Sequence, residues 1–157
     1  MALTSDRNCP RTKGEIISIK VATAVKIFAG ALVAINSDGY LVPASDTAGL
    51  KVIGIAEEAV DNSSGSNGDI SAKVLRCAAK LGNSATSSVT QAKIGSPVYV
   101  VDDETVGATS TNSVVAGIAI ELENGDVWVD VSSAPAIKAA VDLAATATAA
   151  AIEAANA

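Results

Sequence analysis

The densest reactive groups in this 157-residue chain are two runs of carboxylates, Glu57-Glu58-Asp61 and Asp102-Asp103-Glu104. Paired carboxylates can act as acid and base, as in glycoside hydrolysis. Each run abuts a turn expected from the neighbouring residues, where solvated charges are ordinary. Platforms for a substrate are also scarce, since Phe28, Tyr40, Tyr99 and Trp128 are the only aromatic residues. The chain has no histidine, so it lacks the commonest general base and the commonest metal ligand. That excludes Ser-His-Asp and Cys-His catalysis and zinc sites that need imidazole. No catalytic residue is assigned, and the chain is expected not to be an enzyme.

The oxygen-rich stretch from Asp61 to Asp69 (DNSSGSNGD) has donors suited to calcium. It has no ligand at the fifth position and no glutamate at the twelfth, so it departs from the EF-hand pattern and reads as a flexible hairpin loop. No metal and no cofactor is expected. The glycines form no phosphate-cradling loop. Cys77 lies between Leu75 and Ala78 in an expected strand, where a thiol is buried and inert. Cys9 has Arg7 and Arg11 beside it, cations that can lower a thiol pKa. Two cysteines read as free thiols in a reducing compartment, with a single Cys9–Cys77 bridge the open alternative.

Charge is unevenly spread. Residues 1–26 carry five basic side chains (Arg7, Arg11, Lys13, Lys20, Lys26) against Asp6 and Glu15, a net +3. The remainder carries six basic against fifteen acidic residues, a net −9. An overall charge of −6 speaks against a nucleic-acid binder, whereas a basic leading segment on an acidic body suggests an arm for an acidic surface. The polar start MALTSDRN lacks the apolar run of a signal peptide. The longest apolar run, residues 27–35, falls well short of the roughly 20 that a membrane span needs, so a soluble protein is expected.

Three zones are expected to position these groups. Residues 1–14 are an extended arm, residues 15–133 a β domain, and residues 134–157 an alanine-rich helix. Strands are read at residues 15–21, 32–35, 40–42, 51–57, 70–76, 97–101, 114–120 and 127–131, from period-two apolar patterning between turn residues. Asp38-Gly39 and Asn124-Gly125 supply the hairpin turns. The fold class is mainly β: a small antiparallel barrel or sandwich.

An internal repeat supports two similar β units sharing one core. Gly30 and Gly95 are 65 positions apart, and the Gly-Ile-Ala starts at Gly54 and Gly117 are 63 apart. In the tail, Ile137, Val141, Ala144, Thr148 and Ile152 make one narrow apolar stripe, suited to helix association or to docking on a neighbour.

The run Ala29-Gly30-Ala31-Leu32-Val33-Ala34-Ile35 with Gly39-Tyr40-Leu41-Val42-Pro43-Ala44 resembles the opening hairpin of tailed-phage capsid decoration (cement) proteins. Gly54-Ile55-Ala56, Val60-Asp61-Asn62, Gly68-Asp69, Gly95-Ser96-Pro97-Val98-Tyr99 and Asp126-Val127-Trp128-Val129 continue in the same order. The resemblance covers about residues 15–131 and excludes the tail. It implies a non-enzymatic protein on the outer surface of an expanded virion capsid, made in the host bacterial cytoplasm. The implied partners are the major capsid protein and copies of the chain itself, a trimer being favoured, with no nucleic acid and no membrane. Arg7, Arg11 and Lys13 are the expected capsid-binding residues, and Ile137, Val141, Thr148 and Ile152 the oligomer or partner stripe. Two other readings remain beside it: a self-assembling surface-layer or tube subunit, and a small β-fold enzyme acting through Asp102, Asp103 or Glu57.

Overall fold

The computed structural model describes residues 15–155. Twelve short strands and one long helix follow in order: β1 (Ile16–Lys20), β2 (Val25–Ile27), β3 (Leu32–Ile35), β4 (Leu41–Pro43), β5 (Lys51–Ala56), β6 (Val60–Asn62), β7 (Ser71–Leu75), β8 (Ala78–Asn83), β9 (Pro97–Val100), β10 (Thr105–Gly107), β11 (Val115–Glu123), β12 (Asp126–Asp130) and α1 (Ala134–Ala155). The mainly β fold, the barrel and the C-terminal helix agree with the sequence reading; the proposed arm, residues 1–14, lies outside the described residues.

The two β units are built alike. The second is a closed five-stranded barrel in the order β10-β8-β12-β11-β9. The first is a five-stranded sheet in the order β1-β7-β5-β3-β4. Matching β1 to β8, β3 to β9, β4 to β10, β5 to β11 and β7 to β12 gives the same strand order in both. The closing seams also correspond. β8 and β10 run parallel, and Val21, just past β1, makes a parallel bridge to Leu41 in β4. The expectation of an antiparallel barrel is thus corrected at one seam. With five strands in a ring, an all-alternating order cannot close on itself.

The repeat extends to individual hydrogen bonds. Gly30 N–H donates to the Ala56 carbonyl at 2.8 Å, and Gly95 N–H to the Ala119 carbonyl at 2.8 Å. Ala31 N–H donates to Phe28 at 3.2 Å, and Ser96 N–H to Lys93 at 3.0 Å. Phe28 and Lys93 are therefore equivalent positions. Val33 pairs with Gly54 and Val98 with Gly117, each beside an irregularity in the register.

The interior is two cores rather than one. Val21, Ile27, Val33, Leu41, Ala72 and Val74 fill the first unit. The second cluster fills the barrel with Val98, Val100, Val106, Val127 and Val129, and reaches across to Leu32, Ala34 and Val52 of the first unit. Alternation along β3 explains this: Val33 points to one core while Leu32 and Ala34 point to the other. A strand buried on both faces reads as a continuous apolar run, as Leu32-Val33-Ala34 does.

A carboxylate fastens the two units at their edge. Asp46 accepts from Ser110 Oγ at 2.6 Å, Thr111 N–H at 2.9 Å and Asn112 N–H at 3.0 Å, while Asn112 Nδ2 donates to the Asp46 carbonyl at 2.7 Å. Partial burial pushes the Asp46 pKa up, but these hydrogen bonds together outweigh it and hold the carboxyl below its ordinary value. A depressed folded-state pKa contributes stability that is present above the unfolded value and is lost as pH falls through the folded one. Asp46→Asn is therefore expected to cost about 1–2 kcal/mol at pH 7. Urea titrations should show that deficit shrinking below about pH 3.5, near the ordinary carboxylate value. A deficit of equal size at pH 7 and pH 3 would remove the charge from the account.

Candidate functional site

The sequence-expected carboxylates separate into different jobs. Asp61 Oδ1 accepts from Ser63 N–H at 3.0 Å and from Ser63 Oγ at 2.5 Å, and its Oδ2 lies 3.5 Å from Lys26 Nζ. The Ser63 hydroxyl, then its N–H and the Lys26 charge, lower the Asp61 pKa. Glu58 Oε1 accepts from Lys73 N–H at 3.4 Å, and Asp102 Oδ1 from Glu104 N–H at 3.0 Å. These bonds order turns and strand ends.

The Asp61–Asp69 stretch is a pinned connection rather than a flexible hairpin, because β6 pairs with β2 while β7 pairs with β1 and β5. Buried Asn62 donates to the carbonyls of Ala22 (2.7 Å) and Ser66 (2.9 Å), and Asp69 accepts from Ser66 N–H at 2.7 Å. Thr23 binds the loop twice, through Gly65 and Asn67. Asp61 Oδ1, Asn67 Oδ1 and Asp69 Oδ2 are thus already held by backbone N–H groups. Among the described residues, no three or more histidine, cysteine or acidic side chains come together as a metal site.

Cys77 departs from its expected place. It lies half-buried in the bend between β7 and β8, not within a strand. The chain changes sheets there: Arg76 N–H closes on Glu15 in the first unit, and the Cys77 carbonyl accepts from Val131 N–H beside the barrel. Burial, and then the Asp130 charge, push the Cys77 thiol pKa up. The protonated thiol is the unreactive form, in keeping with an inert cysteine.

Two surfaces stand out. The first is α1. Ala134 is buried in the barrel-side core, and Ile137, Lys138 and Val141 are half-buried as the helix packs across β5 and β11. From Asp142 to Ala155 every residue is exposed, a projection of about 21 Å. The stripe is therefore divided. Ile137 and Val141 rest against the chain's own body, while Thr148 and Ile152 stay open, with Leu143 72% and Ile152 58% exposed.

By length and composition alone this helix is apolar enough to cross a membrane, which the run of residues 27–35 is too short to do. Alanine and threonine register as apolar over a window, although Lys138, Asp142 and Glu153 interrupt it.

The second surface was missed by the sequence reading. Phe28 is 60% exposed and lines a cleft of about 470 Å³ with Ala29, Gly30, Ala31, Asp103 and Glu104. The cleft lies where the units meet, and Leu32 N–H donates to the Asp103 carbonyl at 2.7 Å. Lys26 Nζ stands 5.3 Å from the centre of the Phe28 ring, a cation–π contact. The available signal was the repeat: at the equivalent position the second unit has Lys93, an ordinary exposed residue. Arg7, Arg11 and Lys13, expected to bind an acidic surface, lie outside the described residues.

Comparison with protein-family models, with curated proteins and with solved structures finds no match. Function is accordingly read from the residues and surfaces themselves.

Proposed function

We propose that the chain is a capsid decoration protein. In this reading it binds the outer surface of a phage capsid as a homo-oligomer, a trimer favoured, and holds neighbouring major capsid subunits together. The observation that carries it is the helix segment Asp142–Ala155, exposed along its whole length and without a packing partner among the described residues. An isolated helix of this length is marginal in water, so association is its natural source of stability. The ordered series of glycine and hairpin motifs in two duplicated β units, on which the family resemblance rests, supports the same reading.

Function then follows from multivalency. Each subunit contributes a weak contact, with Arg7, Arg11 and Lys13 set against acidic capsid surface. Several contacts made at once give avidity well beyond any single affinity. A protein that binds only the expanded lattice stabilises that lattice by mass action. The site of action is the virion surface, after synthesis in the bacterial cytoplasm.

Co-sedimentation with expanded shells of the major capsid protein encoded in the same genome tests this. Saturable binding of the full chain is expected, with loss of binding when residues 1–14 are deleted and the β body stays folded by circular dichroism. No binding to expanded shells would overturn the reading. Filaments or sheets formed by the purified chain alone would replace it with a self-assembling layer, which the exposed helix also fits.

A further inference from the structure

The Phe28 cleft has a feature that its fold does not require. Phe28 and Lys93 hold the same place in the two units, with the same backbone bond behind them, and both are exposed. The unit therefore folds with a lysine there, and burial does not account for an aromatic ring that is 60% exposed. Beside it, Asp103 and Glu104 make no ion pair and no side-chain hydrogen bond among the described residues, in contrast to Asp61, Glu123 and Asp142. A ring and two open carboxylates around one cleft are the chemistry that receives a guanidinium: stacking on the ring and paired hydrogen bonds to the acids.

The chain carries such a group within reach. In the first sheet Ile16 pairs with Leu75, Leu75 with Ile55 and Ile55 with Leu32, so the start of β1 and the start of β3 lie at the same end. Three strand spacings separate them, about 14 Å. The fourteen residues before Glu15 span up to about 46 Å when extended. They hold Arg7, Arg11 and Lys13 against Asp6 alone.

We propose that the cleft between Phe28 and the Asp103–Glu104 turn is the docking site of the chain's own basic arm, residues 1–14. An arginine of the arm lies on the Phe28 ring and pairs with the two carboxylates. Lys26 is already near the ring, but its charge is offset by Asp61 at 3.5 Å, and the open part of the ring takes the second cation. This contact holds the arm on the acidic body when no other acidic surface competes for it. It is independent of the capsid reading and is tested on the isolated protein.

The test uses the full-length chain with Cys77→Ser and a nitroxide on Cys9. Amide signals of Ala29, Gly30, Asp103 and Glu104 should broaden relative to the reduced label. That broadening should disappear in Phe28→Lys, a change the second unit already tolerates, and in Asp103→Asn/Glu104→Gln. Trypsin cleavage after Arg7 and Arg11 of the otherwise unaltered chain should rise roughly three- to ten-fold with Phe28→Lys, as loss of a cation–π contact and exposed ion pairs implies. Absence of broadening, or broadening and cleavage unchanged in both variants, would overturn the proposal. So would broadening that arises only between separately labelled molecules, because the arm would then sit on a neighbour.

Discussion

Gly117→Ala is expected to lower stability by about 3–5 kcal/mol, a large part of what holds a domain of this size together. A Cβ at this position would stand 2.2 Å from the Asp130 carbonyl oxygen and 2.8 Å from its carbon, and the backbone is held at φ +150°. Backbone cannot move aside as a flexible side chain can, and this φ is strained for any residue with a Cβ. The duplicated position behaves alike. A Cβ on Gly54 would meet the Leu75 carbonyl oxygen and Val74 Cγ1 at 2.5 Å, and Gly54→Ala should cost about 2–4 kcal/mol. Gly39→Ala separates sterics from dihedral preference: nothing lies within 4 Å of its Cβ, yet φ is +85°. Its expected cost is about 1 kcal/mol. Urea denaturation of the three variants at pH 7 gives the ranking. If Gly117→Ala costs no more than Gly39→Ala, close approach of β12 to β11 is not what selects glycine there.

These two glycines also mark how far the fold was legible before any coordinates. Gly30, Gly54, Gly95 and Gly117 appeared in the sequence as a weak repeat, and each returns in an equivalent hydrogen bond or strand pairing. The Asn124-Gly125 turn was equally plain. Both residues sit at positive φ, 52° and 91°, as a two-residue hairpin loop demands.

What escaped was non-local. β8 (AAKLGN) has little intrinsic strand preference and exists because β12 pairs with it on one side and β10 on the other. β2, β6 and β10 have three residues each, too few for a period to show. The parallel seam between β8 and β10 leaves no mark in local pattern at all. The alanine-rich helix was readable from composition, with Ala134 as its observed start, but composition could not divide its stripe into a packed base and an open end. Phe28 was visible as one of four aromatics, and its exposure emerges only when the two units are overlaid at Phe28 and Lys93.

Removal of residues 142–157 is expected to abolish self-association of the chain while leaving the β body as stable as before. The open segment of α1 contributes nothing to the chain's own core, since no residue from Asp142 to Ala155 is even half-buried. The helix is held at its base instead, by Ala134 in the core and by Ile137 and Val141 against β5 and β11. A cut after Val141 keeps those contacts and gives up the ion pair of Lys138, whose side chain is 11% exposed, with the open Asp142, an i,i+4 pair worth about 0.5–1 kcal/mol. Urea midpoints of full and truncated chains should therefore agree closely. Oligomer state should not. With Leu143, Thr148 and Ile152 removed, the apolar face available to a second copy is gone, and light scattering should show a single species lighter than the 15.5 kDa full-chain monomer in place of the proposed oligomer. Two results would count against this account. An oligomer that survives truncation would place the contact on the barrels or the arm. A full chain that is monomeric but floats with phospholipid vesicles would mean that the same apolar face, about 21 Å long, is covered by lipid.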